Sequence, residues 1–350
     1  MEIITTTGFY GTGSSAITDL LKEYEPVSCK SDYELRFLFD PDGISDLEYN
    51  LIENPNRHNS SHALKRFHRN MSRLDHIWFV QRYSKYFENK FMPAVERFME
   101  SIVEMEYCAS WHYDVYERGN FFFILTRTYS KLKSIMHRIF HTKMDGRSIG
   151  SKNEKAYLTT TKEDVFLRAT RDLVDELARE LNVDNKSFVM FDQLVPPSNV
   201  KRYNRYVNNL KVIIVDRDPR DIYILEREVW RGTVVPTDNI ESFCRWYAWT
   251  RSTANNNDIQ NVLNIQFEDL LYNYSETVSK IEEFIGLQKE QHTRVNDYLN
   301  PEKSIKNTQL WKVYKQYDEE IKYISEHLPQ YCYGFPDNRK IGDINVKELF

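Results

Sequence analysis

The densest chemical signal in the chain is the run Gly8, Phe9, Tyr10, Gly11, Thr12, Gly13, Ser14, Ser15. Glycines let a backbone curl until successive N–H groups point to one place, and a helix that starts there adds the positive end of its dipole. Ser14 and Ser15 bring two hydroxyl donors. This is chemistry suited to phosphate oxygens. The spacing matches G-x-x-x-x-G-x-S, but Ser14 stands where the Walker A pattern has Lys. That Lys grips the β/γ-phosphates of ATP or GTP, so the loop reads as an anion cradle outside the ordinary NTPases. The plainer alternative is a tight turn followed by a serine helix cap.

A second anion-seeking group follows the apolar run K-V-I-I-V-D at 211–216. Arg217, Asp218, Pro219, Arg220 and Asp221 come next. A strand ending there places a guanidinium at the carboxyl edge of a sheet, where open α/β sheets bind ligands. The guanidinium fork suits a phosphate; the alternative is a surface Arg–Asp pair at a helix start. His112, within S-W-H-Y at 110–113, is a candidate general base, although a histidine among aromatics more often packs in a core. His58 and His62 are four residues apart but lack the Glu of the HExxH zinc pattern, so no metal site is expected. The four cysteines, Cys29, Cys108, Cys244 and Cys332, are too far apart for a CxxC motif and fit a reducing compartment.

These groups need elements to hold them. Residues 2–6 form a short β-branched strand and 8–13 a turn. Ala16, Ile17, Leu20 and Leu21 then recur at helical spacing over 14–24. Pro26 stops that helix, 27–29 is a second short strand, and D-P-D-G at 40–43 is a turn. Residues 44–182 read as mostly helical. The clearest helix is 163–181, with Val165, Phe166, Ala169, Leu173, Leu177 and Leu181 on one face. Thr161 and Asp164 make a capping-box-like start, and Asn182 follows its end. Further strands are expected at 187–191, 211–216 and 262–266, and a last clear helix at 276–285. Alternation of this kind argues for parallel strands with right-handed crossovers. No Ser/Gly/Pro-rich linker divides the chain. The expected fold class is α/β: a P-loop-type parallel sheet flanked by helices, one domain over 1–350, with a large helical insertion at 44–182.

Composition narrows the function. With 350 residues, 41% of them hydrophobic, the chain can bury a core. A net charge of −5 excludes a generic nucleic-acid binder. The charge is uneven, however. Residues 57–90 carry eight Lys/Arg against two acids, and 126–162 carry nine against two. Both stretches fall in the insertion, where they either hold anions or form solvated helix faces. No apolar run approaches a membrane span; F-F-F-I-L at 121–125 reads as a core-like run. The start of the chain has no signal-peptide pattern, and a cytoplasmic location is expected.

Taken together, these segments resemble the sulfotransferases that use 3′-phosphoadenosine 5′-phosphosulfate (PAPS). In that family a Lys-poor relative of the P-loop binds the 5′-phosphosulfate, which implies Gly11, Thr12, Gly13, Ser14 and Ser15 as cofactor contacts. Arg217 matches the family's Arg-x-Pro-[Arg/Lys]-Asp segment, which binds the 3′-phosphate. Leu225 stands where the family often has a serine, and nearby Tyr223 is the implied substitute. F-V-M-F-D-Q-L-V-P at 188–196 is similar to the family's strand ending in a D-K-x-x-P turn, with Gln193 in place of Lys. N-I-Q-F-E-D-L at 264–270 resembles its Y-E-D-L segment. The segment from Ser304 to Lys312 resembles the part that closes over the cofactor, which implies Ser304, Lys306 and Asn307 as further contacts. The resemblance covers about 1–40 and 187–315.

Sulfuryl transfer needs in-line attack on sulfur, a base for the nucleophile and neutralisation of developing charge. S-D-Y-E-L-R-F at 31–37 resembles the Lys-Glu-x-x-Phe turn of the family's glycan-modifying branch. Glu34 matches that branch's catalytic carboxylate and is the first candidate base. His112 is the second, and Arg36 is a partial replacement for the missing cation. Gly11 stands where many members have Lys or Arg, and Gln193 is neutral; both departures bear on transfer more than on cofactor binding. The resemblance implies transfer from PAPS to a hydroxyl or amine of a glycan or polysaccharide, leaving adenosine 3′,5′-bisphosphate, with no metal and no nucleic-acid partner. Two other readings stay open. One is a non-catalytic nucleotide-binding protein of the same fold. The other is a P-loop kinase-like phosphotransferase, against which the Lys missing at Ser14 counts.

Overall fold

The structure is a computed structural model that describes residues 1–30, 33–109, 112–141, 154–254 and 259–336. Two compact units divide the chain. One is Met1–Phe39, Tyr86–Glu88 and Val174–Phe350; the other is Asp40–Lys85 and Asn89–Leu173. Among the described residues the strands are β1 (Glu2–Gly8), β2 (Val27–Ser28), β3 (His76–Ile77), β4 (Val80–Gln81), β5 (Met105–Cys108), β6 (Lys155–Leu158), β7 (Phe188–Asp192), β8 (Leu210–Asp216) and β9 (Val262–Gln266).

The first unit is built on a parallel sheet in the order β2-β7-β1-β8-β9. β1 lies at its centre, and its residues Ile3, Ile4, Thr5, Thr6 and Thr7 are all buried. A parallel sheet is covered by helices on both faces, so its central strand has no solvent side. Helix α1 (Ser14–Lys22) returns from the end of β1 and turns Ile17, Leu20 and Leu21 inward. There they join Ile4, Ile213, Val215 and Ile265 in one apolar cluster. The Thr6 and Thr18 hydroxyls pair at 2.9 Å and fix strand to helix. The architecture is the expected α/β one, a parallel sheet flanked by helices, with its strand and helix ends within one or two residues of those read from periodicity.

The second unit is helical with two small hairpins, β3–β4 and β5–β6. Helix α2 (Asn59–Asp75) buries Leu64, Phe67 and Met71, and helix α3 (Phe91–Ile102) buries Phe91, Val95 and Phe98. The Phe67 and Phe98 rings meet at 5.6 Å. Three cations of the basic stretch 57–90 are neutralised within this unit. Lys65 bonds Asp114 at 2.9 Å, Arg69 bonds Glu117 at 2.7 Å and Arg66 bonds Asp42 at 2.7 Å, while His62 lies between Asp114 and Glu117. Residues 142–153 of the other basic stretch lie outside the described residues.

One expectation changes here. Helix α4 (Asn120–Ile139) holds no buried residue, so the run at 121–125 is not a core; Phe121, Ile124 and Leu125 face outward. Helix α5 (Glu163–Leu181) spans the predicted residues, with Phe166, Leu173, Leu177 and Leu181 buried. His112 opens a short helix, His112–Glu117, of the second unit. Its side chain lies outside the described residues, as do Ser110 and Trp111, and Ser31 and Asp32 of the turn before Glu34.

Candidate functional site

At the end of β1 the chain passes through residues 9–13 into α1. Tyr10, Gly11 and Gly13 take positive φ angles of 79°, 68° and 86°. A Cβ on Gly11 would stand 2.6 Å from the Trp230 ring, and one on Gly13 would stand 2.6 Å from the Phe267 ring. Both positions therefore exclude other residues through backbone angle and through space. No side chain caps α1, whose N-cap is Gly13; the serine-cap alternative is not what forms. Ser14 instead accepts from Gln193 Nε2 at 3.1 Å, while Gln193 Oε1 accepts from the Thr7 hydroxyl at 3.0 Å. The neutral residue in the Lys position thus ties the end of β1 to the start of α1. Thr12 Oγ1 is buried and has no hydrogen-bond partner among the described residues.

A cavity of about 930 Å³ opens over this loop at the carboxyl edge of the sheet. It gathers most of the residues singled out in the sequence: Gly11, Thr12, Gly13, Ser14, Ser15, Glu34, Arg36, Arg217, Ser304 and Asn307 all line it. Tyr223 does not. It is 2% exposed within an aromatic cluster, 5.2 Å from Phe243 and 5.9 Å from Tyr317, on helix α6 (Pro219–Ile224). Spacing from Arg217 put it on the right helix, but burial turned it into the core, where its hydroxyl pKa is pushed up to about 12. Lys306 also lies outside the lining, although its neighbours Ser304 and Asn307 belong to it.

Arg217 is not the surface pair that was the alternative. It is 3% exposed, stacked 4.5 Å from the Phe267 ring centre, and its guanidinium bonds the Asn307 carbonyl. The carboxylates of Asp221, Glu268 and Asp218 surround it. Asp221 accepts from the backbone N–H groups of Gln309 and Leu310 at 2.9 and 2.8 Å, and Glu268 accepts from that of Asp218 at 2.9 Å. Burial pushes the Asp221 carboxyl up to about 7 and that of Glu268 to about 8, against the pull of Arg217. Arg217 Nε and Asn307 Oδ1 remain buried without a partner among the described residues. A buried N–H left unpaired is costly, and Arg217 is also one of the residues that line the cavity.

In the same cavity, Glu34 bonds Arg36 at 3.0 Å with both side chains about half exposed. The sequence reading missed its neighbour Asp192, the last residue of β7, which also lines the cavity. Burial pushes the Asp192 carboxyl up to about 6, helped by the charge of Glu34 and opposed by the Thr6 hydroxyl, which donates to it at 3.2 Å. It is the Asp of the D-Q-L-V-P turn at 192–196, and the edge rule marks the same position. Trp230 and Trp249 add flat apolar walls. Among the described residues no cluster of side chains is arranged to hold a metal ion, and no helix is long and apolar enough to cross a membrane.

The Asp192 shift makes a prediction. An unfolded Asp titrates near 3.9, so the folded chain holds this proton more tightly. Its contribution to stability is complete below about pH 4 and is lost as pH rises through about 6. Asp192→Asn should flatten that slope and leave the variant more stable than wild type near neutral pH, by up to about 3 kcal/mol. Urea midpoints measured across this range check it, and an unchanged slope in the variant would contradict it.

No family model matches the chain, and no curated protein does. Among solved structures, it is similar to a sulfotransferase from Mycobacterium tuberculosis H37Rv at 13% identity and a TM-score of 0.34, over 94% of this chain and 76% of that one. The sulfotransferase domain of the Synechococcus PCC 7002 olefin synthase gives 11% identity and 0.40, over 96% and 95%. Retinol dehydratase, in complex with androsterone and the inactive cofactor PAP, gives 14% and 0.33, over 96% and 84%. At these TM-scores each is a likeness that bears on neither family nor function.

Proposed function

We propose that this protein transfers a sulfuryl group from PAPS to a hydroxyl or amine of a glycan-like acceptor. One observation carries the reading: the glycine cradle and Arg217, a buried guanidinium whose Nε has no partner among the described residues, line the same cavity. A nucleotide with an anionic group at both its 5′ and 3′ ends suits that cavity better than one charged at the 5′ end alone. Bound PAPS would supply the activated sulfuryl group and depart as adenosine 3′,5′-bisphosphate. The backbone N–H groups of 11–15, with the Ser14 and Ser15 hydroxyls, would hold its 5′ end. Arg217, with Ser304 and Asn307 beside it, would hold the 3′-phosphate. Glu34 would take the proton of the attacking hydroxyl, and Arg36 would fix the position of its carboxylate. The glycan acceptor rests on the resemblance of the Glu34 turn to the glycan-modifying branch. The second unit, inserted in sequence after β2, is proposed to contribute acceptor selection, and a cytoplasmic location is part of the same reading.

A non-catalytic nucleotide binder is the second reading, favoured by Gln193. Its amide is spent on Thr7 and Ser14, and it brings no cation to the loop. Calorimetric titration without magnesium tests the proposal. Adenosine 3′,5′-bisphosphate should bind roughly ten- to a hundredfold more tightly than AMP, as one charge-assisted contact to the extra phosphate provides, and more tightly than ATP. Equal affinity for AMP would mean that the 3′-phosphate is not read and would overturn the assignment. A transfer assay on a panel of glycans then separates enzyme from binder.

A further inference from the structure

Helix α4 is turned inside out. Its stripe of Phe121, Ile124, Leu125, Leu132, Ile135 and Ile139 is 50–77% exposed. At 3.6 residues per turn these six side chains share an arc of about 100°. Phe122 and Phe123 apart, the half-buried side of the helix is polar: Thr126, Ser130, Lys133 and His137. A surface helix normally does the reverse. An outward apolar stripe about five turns long is the kind of patch that marks an interaction surface.

Charge identifies what covers it. Over 120–139 the helix carries Arg127, Lys131, Lys133 and Arg138 and no acid. Arg127, Lys131 and Arg138 flank one edge of the apolar arc and Lys133 lies beyond the other. A second copy would bring these cations against their own kind. An anionic lipid surface accepts both features, because the apolar arc enters the headgroup boundary while the long stems carry their charges to the phosphates. The helix is about 30 Å long, enough to cross a bilayer, but three cations near its middle forbid that and leave it in the plane. The same unit holds another outward apolar element, the β3–β4 hairpin, with Trp78 and Phe79 at its tip, 89% and 88% exposed. Trp is at home at lipid–water interfaces.

We propose that α4 is an interfacial helix that docks this protein on an anionic membrane surface. This is independent of the reaction assigned above. Co-sedimentation of the full chain with vesicles tests it. Vesicles of phosphatidylserine in phosphatidylcholine should bind the protein, phosphatidylcholine alone should not, and salt should weaken the binding. Lys131→Ser and Arg138→Ser should each lower partitioning about fivefold, and Leu132→Asp with Ile135→Asp should abolish it. All four side chains are exposed, so unchanged circular dichroism should accompany these losses. The single serine variants keep the test decisive if the double aspartate variant misfolds. Equal binding to both vesicle types, or to neither, would overturn the proposal. So would a wild-type dimer in sedimentation velocity that the aspartate variant dissociates, which would give the stripe to a second copy.

Discussion

Replacing Glu34 by Gln should lower sulfuryl-transfer turnover by about 10²–10⁴-fold, the usual contribution of a positioned general base, and leave affinity for adenosine 3′,5′-bisphosphate nearly unchanged. Glu34 lines the cavity that the glycine loop floors. It is held at 3.0 Å by Arg36 and remains about half exposed, so a carboxylate oxygen is accessible to an acceptor hydroxyl. Glutamine keeps the shape and the contact with Arg36 but loses the basicity. The effect should therefore fall on kcat and on single-turnover rates rather than on nucleotide binding. Ordinary turnover in Glu34→Gln on a proven acceptor would remove Glu34 from the role. Asp192, whose carboxyl lines the same cavity and titrates near 6 through burial, would then be the next carboxylate to replace.

The sheet was legible because its strands are local signals. K-V-I-I-V-D and V-L-N-I-Q carry β-branched runs free of Gly and Pro, and both fold as strands, over Leu210–Asp216 and Val262–Gln266. The loop was legible for the same reason, since glycine spacing is a local property that positive φ angles at Gly11 and Gly13 then use. What the sequence hid is what depends on distant partners. Asp192 has no periodicity to mark it; its raised pKa comes from burial and from Glu34 on another segment. The basic stretch 57–90 counts as cationic in sequence, but Asp114 and Glu117 arrive from elsewhere and neutralise Lys65 and Arg69. Tyr223 shows a different limit. Distance from Arg217 fixes the turn of α6, while contacts with Phe243 and Tyr317 fix which way the ring points. In α4 the apolar run at 121–125 was visible, but a run does not say whether it turns inward.

Arg217→Ala should act on binding and on stability together, and pH separates the two. Binding of adenosine 3′,5′-bisphosphate should weaken roughly ten- to a hundredfold through loss of a charge-assisted bond of about 1.5–3 kcal/mol. Stability should also fall, because the guanidinium is the buried cation facing Asp218, Asp221 and Glu268. Removing one partner from a buried ionic group costs about 3–5 kcal/mol when the others stay charged. Asp221 and Glu268 are already pushed up to about 7 and 8 by burial. Both carboxyls sit above their unfolded values, so their neutral forms favour folding in acid, and that contribution is lost as pH rises through 7 and 8. Without Arg217 the cost of ionising them grows. The deficit against wild type should therefore be small near pH 5 and largest above about pH 8, as urea midpoints can show. Arg217→Lys restores the charge but not the planar fork, so it should recover stability more fully than affinity. An Arg217→Ala variant that is folded and binds the nucleotide unchanged would move the 3′-phosphate site elsewhere. Arg220 is a poor heir, since Asp218 holds it at 2.6 Å and Trp311 stacks on it at 4.2 Å. Lys306, next in sequence to the cavity-lining Asn307, would then be the cation to replace.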